Sequence, residues 1–183
     1  MWSVIWKMHM VMKMHMVIRL IVYARTKREA LARAREILEN VLVGEDGHHP
    51  FDGYALFNEN VPFYGKNRWG NLPPAVRLMT EEGIKLVDEA WEWQKSEFER
   101  NLKELKEIGD KENWDFEKLM GNWKFRFRCY SIGQYSGSFI WLYDNDGEGI
   151  RDIEHLKEAL TKWGNKSEYE DLDVWVVPVD VHY

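Results

Sequence analysis

Residues 125–152, FRFRCYSIGQYSGSFIWLYDNDGEGIRD, decide the predicted fold. Two runs rich in aromatic and β-branched residues, 123–131 and 138–143, are typical of strands. The segment 133–137 between them has the glycine and serine content of a turn, so the two runs predict a hairpin. The second run leads into an acidic loop at 144–149, in which two glycines alternate with acidic residues.

The residues after this loop complete the second half of the fold. Apolar residues recur at three- and four-residue steps over 150–163, which predicts a helix. An acidic and polar linker then leads to a final strand over 174–181. Pro178 interrupts that strand, and a proline there requires an edge strand or a bulge because it has no N–H to donate.

The N-terminal half predicts a β-α-β unit. Residues 17–24, VIRLIVYA, have the composition of a core strand. Thr26 and Glu29 form the capping-box pattern that begins a helix, and this helix ends near Gly44. The short aromatic run 51–57 then predicts the next strand.

Residues 58–123 separate the two halves and predict a loop followed by helices. A long helix is expected from Thr80 to Ile108, with Ile84, Val87, Trp91, Phe98, Leu102 and Leu105 along its apolar face. A shorter helix over 113–120 is expected to fold back on it. The length of the first helix, about 40 Å, predicts a protruding arm or a dimer contact.

The order of elements predicts one α+β domain that resembles a ferredoxin-like βαβ–ββαβ sandwich with a largely helical insertion. The predicted segments are a non-core extension (1–16), a first βαβ half (17–57), an aromatic loop with a helical insertion (58–123) and a second ββαβ half (124–183). Such folds host binders, sensors and enzymes, so the fold leaves the function open.

Composition narrows the classes of function. A formal charge of −6 and a pI near 5.6 argue against general binding to nucleic acid, which depends on Lys and Arg. The single Cys129 excludes an intrachain disulfide. With no signal-peptide pattern and no transmembrane stretch, we expect a cytoplasmic protein that does not bind membranes. Few glutamines beside many Glu, Lys and Arg are typical of a thermophilic source.

Residues 1–16 carry an alternating methionine pattern. Lys7-Met8-His9-Met10 is followed by the near repeat Lys13-Met14-His15-Met16. Thioether and imidazole groups on opposite faces of an extended chain would suit Cu(I). The preferred interpretation is a start codon upstream of the true one, with Met16 as a plausible first residue.

The acidic loop can be aligned with a calcium-binding EF-hand loop. Asp144, Asp146, Glu148 and Asp152 then fall at ligand positions, and Gly149 falls at the required turn. His155 stands where a bidentate Glu is expected, and a strand precedes the loop instead of a helix. The alternative is a connection in which acidic side chains cap the following helix.

Asp180 and His182 lie near the C-terminus of the last predicted strand. Alternation places their side chains on the same side of that strand, where they could bind a metal together. With Asp144 and Asp146 they would form the site of a metal-dependent hydrolase of the phosphoester type, using Mg²⁺ or Mn²⁺. This is the second hypothesis for the function.

The leading hypothesis rests on the loop over 58–74, which mixes basic and aromatic residues. Phe63, Tyr64, Arg68 and Trp69 are expected to form a surface that binds a protein or a small molecule. The same aromatic residues could instead anchor the loop to its own core. The protein is therefore predicted to be a binding module, dimeric through the long helix or a sheet edge.

Overall fold

The computed structural model describes residues 15–44, 49–133 and 140–182, and these form a mixed α+β fold. Its strands are β1 (His15–Ala24), β2 (Gly53–Leu56), β3 (Val76–Arg77), β4 (Leu142–Tyr143) and β5 (Asp173–His182). Its helices are α1 (Lys27–Ile37), α2 (Lys66–Trp69), α3 (Glu81–Lys111), α4 (Phe116–Gly121), α5 (Trp123–Gly133) and α6 (Ile153–Gly164). A π-helical turn, Leu38–Leu42, follows α1, and a 3₁₀ turn, Ser167–Tyr169, follows α6.

The sheet is built around the antiparallel pair of β1 and β5. These strands match residue for residue over their whole length, from His15 opposite His182 to Ala24 opposite Asp173. The strand order is β2-β5-β1-β4, and β3 also pairs with β5. β4 runs parallel to β1. The specific ferredoxin-like topology is therefore not confirmed, although the mixed α+β class is.

Pro178 lies in the central strand β5, so the prediction of an edge strand or a bulge is wrong. The backbone N–H of Arg19, opposite Pro178, donates to the carbonyl of Trp141, the residue just before β4 on the other side of β1, at 2.8 Å. Arg19 and Pro178 are thus a pair without mutual hydrogen bonds, and the missing N–H points away from β1. On that side of β5, β2 pairs only as far as Val179 and β3 only as far as Val176. Pro178 lies between these two pairings, so the sheet loses no hydrogen bond there.

The predicted strand over 123–131 is wrong, because these residues form helix α5. The Asn122 side-chain oxygen accepts from the N–H groups of Lys124 and Phe125 and so caps this helix. Arg128 then donates to Glu104 of α3 at 2.7 Å. Packing against α3 has overridden the strand-type alternation of Phe and Arg. Most of the predicted turn over 133–137 lies outside the described residues.

The predicted helix caps at Thr26 and Thr80 are confirmed. Thr26 Oγ1 accepts from the Glu29 N–H at 3.2 Å, and Thr80 Oγ1 accepts from the Gly83 N–H at 3.1 Å. β1 begins at His15, so the last two residues of the predicted extension 1–16 belong to the sheet. The rest of that extension, including His9, lies outside the described residues.

Helices cover both faces of the sheet. The even-numbered residues of β1, such as Ile18 and Leu20, pack with α1 in one core. Ile21 and Val176 pack on the opposite face with α3 and α6. No described helix is apolar and long enough to pass through a membrane.

The inward face of α3 differs from the predicted one. Ile84 and Leu102 were expected to be buried, but they are 47% and 45% exposed. The residues that point inward are Gly83, Leu86, Val87, Ala90, Gln94, Asn101 and Gly109. Gly83 is required because a Cβ there would lie 2.2 Å from the Arg77 carbonyl oxygen, so α3 starts against β3.

The hydrogen bonds of Gln94 explain why this polar residue lies on the inward face of α3. Its side-chain oxygen accepts from the Trp141 N–H at 2.9 Å, and its amide donates to the carbonyls of Ile150 and Arg151. It thereby holds both sides of the β-turn that follows β4. The side-chain amide of Gln94 thus supplies the hydrogen bonds of three backbone groups that no neighbouring strand reaches.

We predict that Gln94→Leu destabilises the protein by about 2–4 kcal/mol, because one buried donor and two buried acceptors lose their partner. Lys95→Ala, one position along on the exposed side, should change stability by less than about 0.5 kcal/mol. Urea unfolding followed by circular dichroism measures both. Equal effects of the two substitutions would contradict this role of Gln94.

Candidate functional site

A cluster of histidine and aspartate side chains lies at one end of the β1–β5 pair. Val179 and Val181 point into the core under α1, so Asp180 and His182 point to the opposite face. His15 lies beside them on β1, and its Nδ1 is 3.0 Å from Asp180 Oδ1. The centroids of the two imidazole rings are 5.3 Å apart.

The residue immediately before strand β2 adds a second carboxylate to this cluster. Asp52 Oδ1 contacts His182 Nδ1, and the Asp52 N–H donates to the His182 carbonyl at 2.9 Å. The next residue is Gly53, where an added Cβ would lie 2.6 Å from His182 Nε2. A glycine is therefore needed at this position to leave room for the imidazole.

The loop after β2 covers the two histidines. The ring of Tyr64 lies 4.6 Å from the ring of His15 and 5.2 Å from that of His182, measured between centroids. The backbone N–H of Gly65 donates to Asp180 Oδ2 at 2.7 Å. Asp180 thus holds His15 with one oxygen and the loop with the other.

Three of the four side chains are buried. Asp180 has no exposed surface, the side chains of His182 and His15 are 4% and 9% exposed, and that of Asp52 is 39% exposed. A buried carboxylate is tolerated only when it is paired and hydrogen-bonded, as Asp180 is. The name His/Asp cluster is used below for His15, Asp52, Asp180 and His182.

Arg19 continues the line of buried polar groups along the same face of β1. Its guanidinium donates to the Val17 carbonyl at 2.5 Å and lies 3.5 Å from Glu89 of α3. Burial lowers the pKa of Arg19 to about 10, and the Glu89 carboxylate opposes this shift. The polar groups of this face are therefore contacted from two sides, by the loop at Asp180 and by α3 at Arg19.

The four residues predicted to form a binding surface divide into two groups. Tyr64 is half-buried against the histidines. Phe63 is 80% exposed and Trp69 is 41% exposed, and Arg68 lies over the Trp69 ring at 5.6 Å from its centroid. The exposed group, together with Lys66 of the same short helix α2, is called the loop surface below.

In the acidic loop, side chains hold the turn and cap α6. Asp144 Oδ1 accepts from the N–H groups of Asp146 and Glu148, both at 2.9 Å. Asp146 pairs with Lys162 at 3.0 Å. Asp152 accepts from the His155 N–H at 2.8 Å, which begins α6.

The structure does not bring Asp144 and Asp146 together with Asp180 and His182. Tyr143 lies opposite Leu20, whereas Asp180 lies opposite Val17. The separation from Asp144 to Asp180 is therefore about four residues along the strands and two strand spacings across them, or about 16 Å. Throughout ranges 15–44, 49–133 and 140–182, no three His, Cys, Asp or Glu residues are arranged to hold a metal ion.

Sequence reasoning missed two members of the cluster, His15 and Asp52. His15 belonged to the predicted extension, and Asp52 fell within the predicted strand 51–57 without being named as a site residue. The registers of β5 with β1 and with β2 would have revealed them, because they place His15 and Gly53, the neighbour of Asp52, opposite His182. Neither register can be read from a single strand.

Comparison with known proteins places the chain in a family. Residues 14–183 match the family described as a domain of unknown function, DUF7995, and the chain belongs to this family. No curated protein and no solved structure matches the chain significantly. The matched range contains the whole His/Asp cluster and the loop surface.

We predict that Gly53→Ala destabilises the protein by about 1–3 kcal/mol and displaces the His182 ring, because the new methyl group overlaps it. Gly121→Ala is the matched control, since nothing lies within 4 Å of a Cβ at Gly121. Thermal unfolding and the imidazole NMR signals measure the two effects. An unshifted His182 signal in Gly53→Ala would contradict the close approach.

Proposed function

We propose that the protein is a binding module whose loop surface recognises an acidic segment of a partner protein. The observation that carries this proposal is the state of Phe63. It is a large apolar side chain that is 80% exposed at a backbone φ of 68°. The exposed side chain adds nothing to the buried core, and a positive φ is unfavourable for phenylalanine.

The conformation at Phe63 is strained and is maintained by its neighbours. A non-glycine residue with positive φ costs on the order of 1 kcal/mol, and such residues cluster at ligand clamps and active sites. Tyr64 packs on the histidines and Gly65 is bonded to Asp180, so the chain on the C-terminal side of Phe63 is fixed. A surface held in place before binding loses less entropy when a partner arrives.

The charge of the loop surface defines the partner. Glu59 of this segment pairs with Arg35, and Arg77 pairs with Asp173. Within the part of the chain that the structure describes, neither Lys66 nor Arg68 forms an ion pair. In a protein of net charge −6, this local positive charge favours an acidic segment and orients its approach.

The first test is photo-crosslinking in cells that naturally make the protein. A benzophenone amino acid at position 63 should give a protein adduct, whereas the same group at Ile153, which is 54% exposed on α6, should not. Mass spectrometry of the adduct identifies the partner. Adducts of equal yield at both positions, or at neither, would contradict the proposal.

The second test uses the partner so identified. We predict that Trp69→Ala and Arg68→Glu each weaken its binding about tenfold or more, as substitutions of aromatic and Arg contacts do at interfaces. The melting temperature should remain within about 2 °C of the native value, because both side chains are exposed. Isothermal titration calorimetry and thermal unfolding give the two readouts. A large loss of stability with either variant would show that these side chains serve packing instead.

A further inference from the structure

The helices that follow α3 carry a second exposed apolar surface. It consists of six large side chains, each between 41% and 74% exposed. They are Trp114, Phe116, Met120, Trp123, Phe127 and Tyr130, and they are called the arm surface below. None of them belongs to the loop surface or to the His/Asp cluster.

Helix α5 shows why this surface is unusual. Its inward residues include Phe125, Arg128 and the buried Ser131, which face α3. Trp123, Phe127 and Tyr130 follow the i, i+4, i+7 spacing of a second stripe on the exposed side. An exposed apolar stripe on a helix that already packs by its other side is typical of a helix that is covered on both sides.

Trp114 is fixed in its exposed position. Its backbone φ is 55°, and its ring lies on Gly109, where an added Cβ would be 2.5 Å from the indole. The indole N–H donates to Asp110 Oδ1 at 3.1 Å. The ring is therefore held in one orientation while 56% of the residue stays exposed.

The size of the arm surface fits a protein interface. An aromatic side chain offers about 150–250 Å², so five that are half exposed present on the order of 600 Å². This is at the upper limit for the largest apolar patch of a monomer, at about 300–600 Å². It approaches the roughly 800 Å² that each partner contributes to a stable complex.

We propose that the arm surface is the interface between two copies of this chain, related by a two-fold axis. Charges within the surface are self-complementary. Residues 112–117 contain Glu112, Asp115 and Glu117 and no basic residue, whereas residues 122–127 contain Lys124 and Arg126 and no acidic residue. A two-fold axis brings the same patch of both copies together, so the acidic end of one meets the basic end of the other.

This arrangement also offsets the repulsion between two chains of net charge −6. Two negatively charged molecules associate only where apolar contact and local charge pairs outweigh their general repulsion. The arm surface provides both in one place. It also explains the exposed stripe of α5, which packing within one chain leaves uncovered.

Sedimentation velocity of the full chain between about 1 and 100 μM tests the proposal. We predict a species of twice the 21.9 kDa chain mass. Trp123→Glu and Phe127→Glu should each raise the dissociation constant by at least about thirtyfold, as loss of a central aromatic contact does. Met79→Glu is the matched control, because Met79 is 84% exposed outside the arm surface, and this variant should remain dimeric. Circular dichroism verifies that each variant is folded.

A charge-swap experiment tests the two-fold geometry. The variants Lys124→Glu/Arg126→Glu and Glu112→Lys/Glu117→Lys should each be monomeric alone and should form a heterodimer when mixed. A wild-type monomer at 100 μM would overturn the proposal, as would a dimer that survives both aromatic substitutions. Sedimentation of a monomer with anionic phospholipid vesicles would assign the surface to a membrane and would equally overturn it.

Discussion

The antiparallel ladder between β1 and β5 is the constraint on which the rest of the structure depends. It pairs ten residues of each strand without a break, and its register places His15 opposite His182. A shift of one residue would turn Asp180 and His182 into the apolar core under α1 and bring Val179 and Val181 beneath the loop. Both the core and the His/Asp cluster therefore require this single register, and neither could exist in the neighbouring ones.

The His/Asp cluster is better explained by positioning than by stability. Burying ionisable groups carries a desolvation penalty that their mutual attraction often only offsets, so apolar residues would stabilise this end of the sheet as well. Asp180, however, is the side chain that binds both a strand residue and the loop. Hydrogen bonds have the directionality that apolar contact lacks. The cluster thus fixes where residues 63–69 lie, and the strain at Phe63 is maintained by those bonds.

Local patterns in the sequence predicted the structural features that depend on neighbouring residues. They failed where a contact with a distant part of the chain determines the structure. The caps at Thr26 and Thr80 were predictable because each involves groups three residues apart. Helix α5 was not, because its contact with Glu104 outweighs a strand-like alternation of Phe and Arg. The loop surface was found from composition, whereas His15 and Asp52 required the sheet register that places them beside His182. The place of Pro178 in the central strand also depends on distant residues, because it lies beside the gap between β2 and β3.

The tryptophans within the described residues divide by what lies beneath each ring. Trp175 is buried and donates to the Ala24 carbonyl, so its polar atom is satisfied within the core. Trp114 lies over the bare backbone of Gly109 and exposes its other face. A ring supported from below in this way cannot turn inward, and its exposure is a property of the fold. Exposure that the backbone enforces indicates a surface for contact more strongly than the mere presence of an aromatic residue does.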